Sequence, residues 1–549
     1  METSQKQFVK SLDHRGYVQG VTISNTSNTD LCHYFGGIRY ALAPLERWRL
    51  ARKLPPSYSY GSKDHPYQCR GGTGTCPQPS FMGLSDSSDW EEDCFQCNVW
   101  IPLGVPPTDG WPVLFFIHGG FLQFGTPNIF SAAALLGETG FNAIVIMPAY
   151  RLGVFGFLYA SELEQDAASV DEPSVGNHGF WDQRMALEWT RDNISLFGGN
   201  KFEITIAGYS AGAHSVCYQL AYDLRLPDNQ SLVKRACIWS NSFTVPPKTT
   251  STAQVQFNQL LSALNIPLSA PDKLPRLRST SMLALLSAAE SIDLHEFRPT
   301  TDSVFIPSNL FDSIMDGTFS RKLYQRQVRV MIGECRDEHS LYATWRPPSQ
   351  STRAALRHRL LADYPNPALV DMLMEMYHPN GTLAQHCTNW NSDAFGRIYA
   401  DMQVHKMQRG FLSSLVSPPA GAGNGATPNV EKLIYRYRIE YRLNCAEKTI
   451  PLSWGVTHAT DQYIWFWGNG EAIEQTERPI IRKAIVDPFT KFVNGEDGVD
   501  WGTKNHREIR VLKPDGSVEI QQDGLWGEAV RVWRAVNAVR NDEPPVSRL

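Results

Sequence analysis

The pentapeptide Gly208-Tyr209-Ser210-Ala211-Gly212 constrains this chain more than any other segment. Before it runs Phe202-Glu203-Ile204-Thr205-Ile206-Ala207, a β-branched stretch that reads as a buried strand. After it runs Ala213-His214-Ser215-Val216-Cys217-Tyr218-Gln219-Leu220, which reads as a helix. A serine at such a junction sits in a sharp turn, and the flanking glycines let strand and helix close around it. Its hydroxyl then stands at the carboxyl edge of a sheet and at a helix N-terminus. There the Ala211 N–H can meet a developing negative charge. Five-residue patterns with two free positions also arise by chance as plain glycine-rich turns. The strand and helix on either side are what favour a nucleophilic serine.

The rest of the chain agrees with that local reading. Trp111–Ile117 and Asn142–Met147 read as buried strands, Cys94–Ile101 as another, and Phe180–Phe197 has helical spacing. Strands alternating with helices predict an α/β class with a large, mostly parallel central sheet flanked by helices. Residues 251–300 and 350–420 are helix-rich, with Leu and Met at spacings that indicate core, and read as helical insertions. Pro418–Pro428 is rich in Pro, Gly and Ala and reads as a surface loop. No internal repeat or linker divides the chain, so residues 1–549 are expected to form one domain.

Composition narrows the function classes. Hydrophobic residues are 42% and charged residues 19%, enough apolar material for a large core. A net charge of −5 without a basic stripe argues against a nucleic-acid or anionic-membrane partner. No apolar run reaches membrane-span length. The first ten residues lack an apolar core, which argues against a secretory leader and for unmodified sequons at Asn25, Asn193, Asn229 and Asn380. The last three residues, Ser547-Arg548-Leu549, are a conservative variant of the Ser-Lys-Leu peroxisomal address. An intracellular protein, peroxisomal or cytoplasmic, is expected, with a peroxisomal import receptor as a partner in the first case.

A serine nucleophile needs a base, an orienting acid and an oxyanion hole. Gly455-Val456-Thr457-His458 offers the base. Gly333-Glu334-Cys335-Arg336-Asp337-Glu338 offers three acids. His118-Gly119-Gly120-Phe121, after a strand, offers a turn whose N–H groups can face an oxyanion.

At this point the chain resembles a known family, the type-B carboxylesterases and lipases, a cholinesterase-like branch of the α/β-hydrolase fold. Beyond the elements above, the resemblance rests on Phe35-Gly36-Gly37-Ile38-Arg39-Tyr40-Ala41, Glu92-Asp93-Cys94 and Tyr150-Arg151-Leu152-Gly153. It continues through Gly176-Asn177-His178-Gly179, Asp182-Gln183 and Phe197-Gly198-Gly199-Asn200. It is dense from about residue 18 to 245 and returns around 333–339, 455–461 and 484–501. It implies a catalytic triad of Ser210, Glu338 and His458, with Asp337 and Glu334 as rival acids. It also implies oxyanion donors at the N–H groups of Gly120, Phe121 and Ala211. Phe121 stands where the family has a third small residue, so a narrower site is expected. Tyr209 replaces the Glu that precedes the serine in cholinesterases, and no cation-binding Trp stands at the matching place. A choline ester is therefore not the expected substrate.

The implied activity is hydrolysis of an apolar or aromatic carboxylic ester, a small molecule, through an acyl-enzyme, with no cofactor and no metal. Thioester, lactone or acyl-transfer chemistry on the same triad, and a non-catalytic binding protein on the same fold, are the alternatives. The family resemblance implies a disulfide between Cys76 and Cys94. The four thiols Cys69, Cys76, Cys94 and Cys97 also admit a zinc reading. Structural ion pairs Arg47–Glu92 and Arg151–Asp182 are implied as well.

Overall fold

The computed structural model describes residues 5–83, 86–173, 175–416 and 430–540. The Ser547-Arg548-Leu549 end and the whole Pro418–Pro428 segment lie outside the described residues. One mixed sheet organises the chain. Its strands are β1 (Gln5–Ser11), β2 (Tyr17–Ser24), β3 (Asp30–Arg39), β4 (Gln96–Pro102), β5 (Trp111–Ile117) and β6 (Ile144–Pro148). Then come β7 (Gly199–Tyr209), β8 (Arg235–Trp239), β9 (Arg329–Cys335), β10 (Ile434–Ile439), β11 (Glu508–Leu512) and β12 (Val518–Gln522). The spatial order is β1-β2-β3-β4-β6-β5-β7-β8-β9-β10-β11-β12, and Tyr67–Gln68 pairs beside β2. The run from β6 to β11 is parallel. Antiparallel strands finish both ends. This is the α/β-hydrolase arrangement.

The central strands read as continuous apolar runs because both faces are covered. Successive side chains alternate between two cores. Val113, Phe115 and Ile117 of β5 enter one, with Ile144 and Ile146 of β6 and Ile204 and Ile206 of β7. Leu114 and Phe116 enter the other, with Val145, Met147 and Ala207. Helices α1 (His178–Asn193) and α2 (Ala211–Asp223) bury most of their residues against the first. The expected insertions are helical and include α3 (Thr250–Ala263), capped by the Thr249 side chain accepting from the Thr252 N–H at 3.2 Å.

Both implied ion pairs are present. Arg47 Nη2 lies 2.5 Å from Glu92 Oε1. Arg151 and Asp182 form a buried two-point pair, with Nε–Oδ2 and Nη2–Oδ1 both at 2.7 Å. The implied Cys76–Cys94 disulfide is not formed. Both are buried free cysteines; the Cys76 thiol donates to the Pro77 carbonyl at 3.7 Å, and the Leu152 N–H donates to Cys76 Sγ at 3.2 Å. Among the described residues, no cluster of three or more His, Cys, Asp or Glu side chains could hold a metal. Among the same residues, no helix is long and apolar enough to cross a membrane.

Candidate active site

Strand β7 delivers Ser210 directly into α2. The serine N–H still donates to the Trp239 carbonyl of β8 at 2.9 Å, while its own carbonyl accepts from the His214 N–H at 3.0 Å. One residue thus ends a sheet and starts a helix, which forces φ 57° and ψ −127° on a non-glycine residue. Such a backbone costs roughly 1–3 kcal/mol and persists only where its surroundings hold it. The neighbours leave no choice. A Cβ on Gly212 would stand 1.9 Å from the Ile117 carbonyl oxygen, and one on Gly208 2.3 Å from the Gly212 backbone.

The turn after β5 faces the serine. Gly120, Phe121 and Leu122 all have positive φ, at 110°, 57° and 64°. The Gly120 carbonyl accepts from the N–H groups of Gln123 and Phe124 at 2.8 and 2.9 Å. The Phe121 carbonyl accepts from Arg298 Nη1 at 2.7 Å, and that of Leu122 from the Gly153 N–H at 2.7 Å. With its carbonyls so occupied, the turn keeps its N–H groups free: those of Gly120 and Phe121 have no acceptor among the described residues. A Cβ on Gly119 would meet Ser210 Cβ at 2.8 Å, a measure of how closely this turn abuts the serine. The Phe121 ring stacks on Trp345, centroids 4.8 Å apart, and is buried.

The three rival acids separate cleanly. Glu338 is fully buried, with Oε2 2.5 Å from His458 Nδ1, and Oε1 accepts from the Cys335 N–H at 2.8 Å. Asp337 turns away. It accepts from the Val456 N–H at 2.9 Å and pairs with Arg336, latching the loop that carries His458. Burial pushes its carboxyl up, but the Arg336 and Val456 bonds hold it below the usual range. Glu334 lies in a different network, against Arg409 at 2.7 and 2.8 Å and His405 at 2.8 Å.

The His458 ring is held between two aromatic rings, Tyr209 at 4.7 Å and Tyr342 at 4.5 Å between centroids. Its Nε2 is buried and makes no hydrogen bond, Ser210 included. Serine–base bonds are often open without substrate and close in the reacting complex. The Tyr342 phenol faces Ser210 but not in hydrogen-bond alignment.

Two cavities meet at Ser210. One has a volume of about 310 Å³ and is bordered by His458, Gly119, Gly120 and aromatic side chains including Phe81, Phe124 and Phe130. The other has a volume of about 40 Å³ and mixed walls, with His214, Asn241, Lys248 and Arg298 beside Val245 and Leu294. Phe121 and Ser210 border both. The sequence reading missed Arg298, Lys248 and Tyr342, which no local pattern marks. It also gave no role to Asp461, one turn beyond His458. Burial and the Glu338 charge push that carboxyl up to about 6, and only Oδ2 has a partner, Trp465 Nε1 at 3.0 Å.

Fold and site together define a serine hydrolase of the α/β-hydrolase class. The carboxylesterase family model matches residues 6–523. The chain is 41% identical to a carboxylic ester hydrolase of Gibberella moniliformis, with 97% of each chain covered. It is 35% identical to an uncharacterized esterase/lipase of Schizosaccharomyces pombe, over 95% of this chain and 96% of that one. Among solved structures, the EstA protein of Aspergillus niger superposes with a TM-score of 0.73 at 20% identity, covering 97% and 99% of the two chains, which supports the fold. This chain belongs to the carboxylesterase family and is a carboxylic ester hydrolase.

Proposed function

We propose that Ser210, His458 and Glu338 act as the catalytic triad of this hydrolase. The observation that carries the reading is the 2.5 Å contact between His458 Nδ1 and Glu338 Oε2, with Nε2 left without a hydrogen bond and His458 bordering the same cavity as Ser210. Glu338 accepts from Nδ1–H and so holds the tautomer whose Nε2 takes a proton. Ser210 Oγ attacks the ester carbonyl as His458 removes its proton. The oxyanion is met by the N–H groups of Gly120, Phe121 and Ala211, the last at the start of α2, where the helix dipole adds positive potential. His458 then gives its proton to the leaving alkoxide, and water repeats the sequence on the acyl-enzyme. Each oxyanion donor is worth roughly 10²–10³ in rate.

The aromatic walls on the His458 side support an apolar or aromatic alcohol portion for the ester. A 4-nitrophenyl ester series from acetate to decanoate, with wild type beside Ser210→Ala, tests the reading. Turnover and fluorophosphonate labelling should both vanish in the variant. Undiminished turnover by Ser210→Ala would reject Ser210 as nucleophile. Wild type that neither turns over nor labels would leave a binding protein on a hydrolase scaffold.

A further inference from the structure

The smaller cavity at Ser210 is bordered by a cation without a counter-anion. Lys248 is nine-tenths buried and borders that cavity. Its ammonium touches the Gln256 side-chain oxygen and lies 5.7 Å over the Phe297 ring. No carboxylate among the described residues pairs with it. The carboxylates nearby are already taken. Asp363 is bound by Arg298 at 2.6 Å and Arg359 at 2.7 Å; Glu296 Oε1 is bound by Trp345 Nε1 at 3.0 Å and Arg359 at 3.3 Å, and its Oε2, which makes no hydrogen bond, lies 3.8 Å from Arg298. The charge that acts on Lys248 is the like charge of Arg298. Burial first, and then Arg298, pull the ammonium down to about 7.

A buried ammonium costs free energy unless something answers it. Here the surroundings are fixed rather than collapsed. The Gln256 amide donates to the Leu294 and Glu296 carbonyls, which fixes its oxygen toward Lys248. The Lys248 carbonyl accepts from the Thr301 N–H at 3.0 Å, and Thr249 caps α3 beside it. A fixed cation with no carboxylate partner, bordering a cavity that Ser210 also borders, is the arrangement of an anion subsite.

The side of the ester that enters is set by proton transfer. His458 borders the aromatic cavity, so the leaving oxygen that it protonates must lie there. The acyl chain then extends into the cavity of Lys248. We propose that this cavity receives an acyl chain ending in a carboxylate, so that half-esters of dicarboxylic acids are the preferred substrates. This rests on the assignment of Ser210 and His458 above.

The test separates binding from turnover. Ser210→Ala protein is titrated calorimetrically with monomethyl succinate, adipate and suberate, each beside the uncharged methyl alkanoate of matched length. At least one acid should bind about ten- to a hundredfold more tightly than its neutral partner, the range of a charge-assisted hydrogen bond. In Ser210→Ala/Lys248→Met that preference should fall below about threefold, and Lys248→Arg should keep it. Equal affinities for acid and neutral ligands, or a preference that survives Lys248→Met, would overturn the proposal. Should Lys248→Met not fold, the ligand comparison on Ser210→Ala alone decides. Turnover of 4-nitrophenyl hexanoate by wild type reports separately on the nucleophile. Its absence beside an intact acid preference rejects the triad and keeps the anion site, and the reverse result rejects only the anion site.

Discussion

The guanidinium of Arg298 donates to the main-chain carbonyl of Phe121 at 2.7 Å, across 177 residues of sequence. Asp363 grips the same guanidinium from the other side, with Nε and Nη2 at 2.9 and 2.6 Å from Oδ1. The turn proposed to bind the oxyanion is thereby fixed from outside, at the one residue in it that departs from the family pattern.

Arg298→Met should therefore lower kcat about ten- to a hundredfold with little change in KM, the signature of a misplaced oxyanion donor. Arg298→Lys should recover part of the loss. Steady-state kinetics on one neutral ester decides it, and a change confined to KM would count against this role.

Glu338→Gln should cost about 10³–10⁴ in kcat, because a neutral amide no longer stabilises the imidazolium. Asp337→Asn should cost less than about tenfold, since its carboxylate latches Val456 and does not reach His458. Comparable losses in the two variants would contradict the separation of the acids described above.

Phe121→Gly should widen the junction between the cavities and raise relative activity on bulky acyl groups. It removes a buried ring that stacks on Trp345, so about 3 kcal/mol of stability should go with it. A chain-length profile that superposes on wild type would show that the ring does not gate the site.

Asp461 gives a pH-dependent prediction. Its folded value of about 6 lies above the unfolded value of about 4, so the folded state holds the proton more tightly. Stability is then lost as pH rises from about 4 through about 6, by about 3 kcal/mol at most. Asp461→Asn, which can still accept from Trp465, should raise the melting temperature at pH 8 and change it little at pH 4. An equal shift at both pH values would mean that the charge is not the cause.

Much of this site was legible because its geometry is local. Gly208, Ser210 and Gly212 are separated by single residues, and the strand-to-helix junction that strains Ser210 is written on both sides of them. Glu338 could be chosen over Asp337 only through family resemblance. The two carboxylates are adjacent in sequence, and their opposite directions are set by Val456 and His458 more than a hundred residues away. Arg298 and Lys248 were illegible for the same reason: an isolated cation has no periodicity, and its meaning depends on which carboxylates are already occupied. Where the resemblance implies a Cys76–Cys94 disulfide, the structure has the two cysteines free and buried.

The close approach of Gly212 to the Ile117 carbonyl has a consequence for how such an enzyme diversifies. Around Gly212 the contacts that hold Ser210 are main-chain atoms pressed against main-chain atoms, while among the wall side chains Arg298 bears on the neighbouring turn through the Phe121 carbonyl. Inherited variation can therefore accumulate in walls that do not bear on this frame, while the frame is transmitted unchanged. Selection is free to explore new esters one wall residue at a time, without passing through ancestors that have lost the reaction.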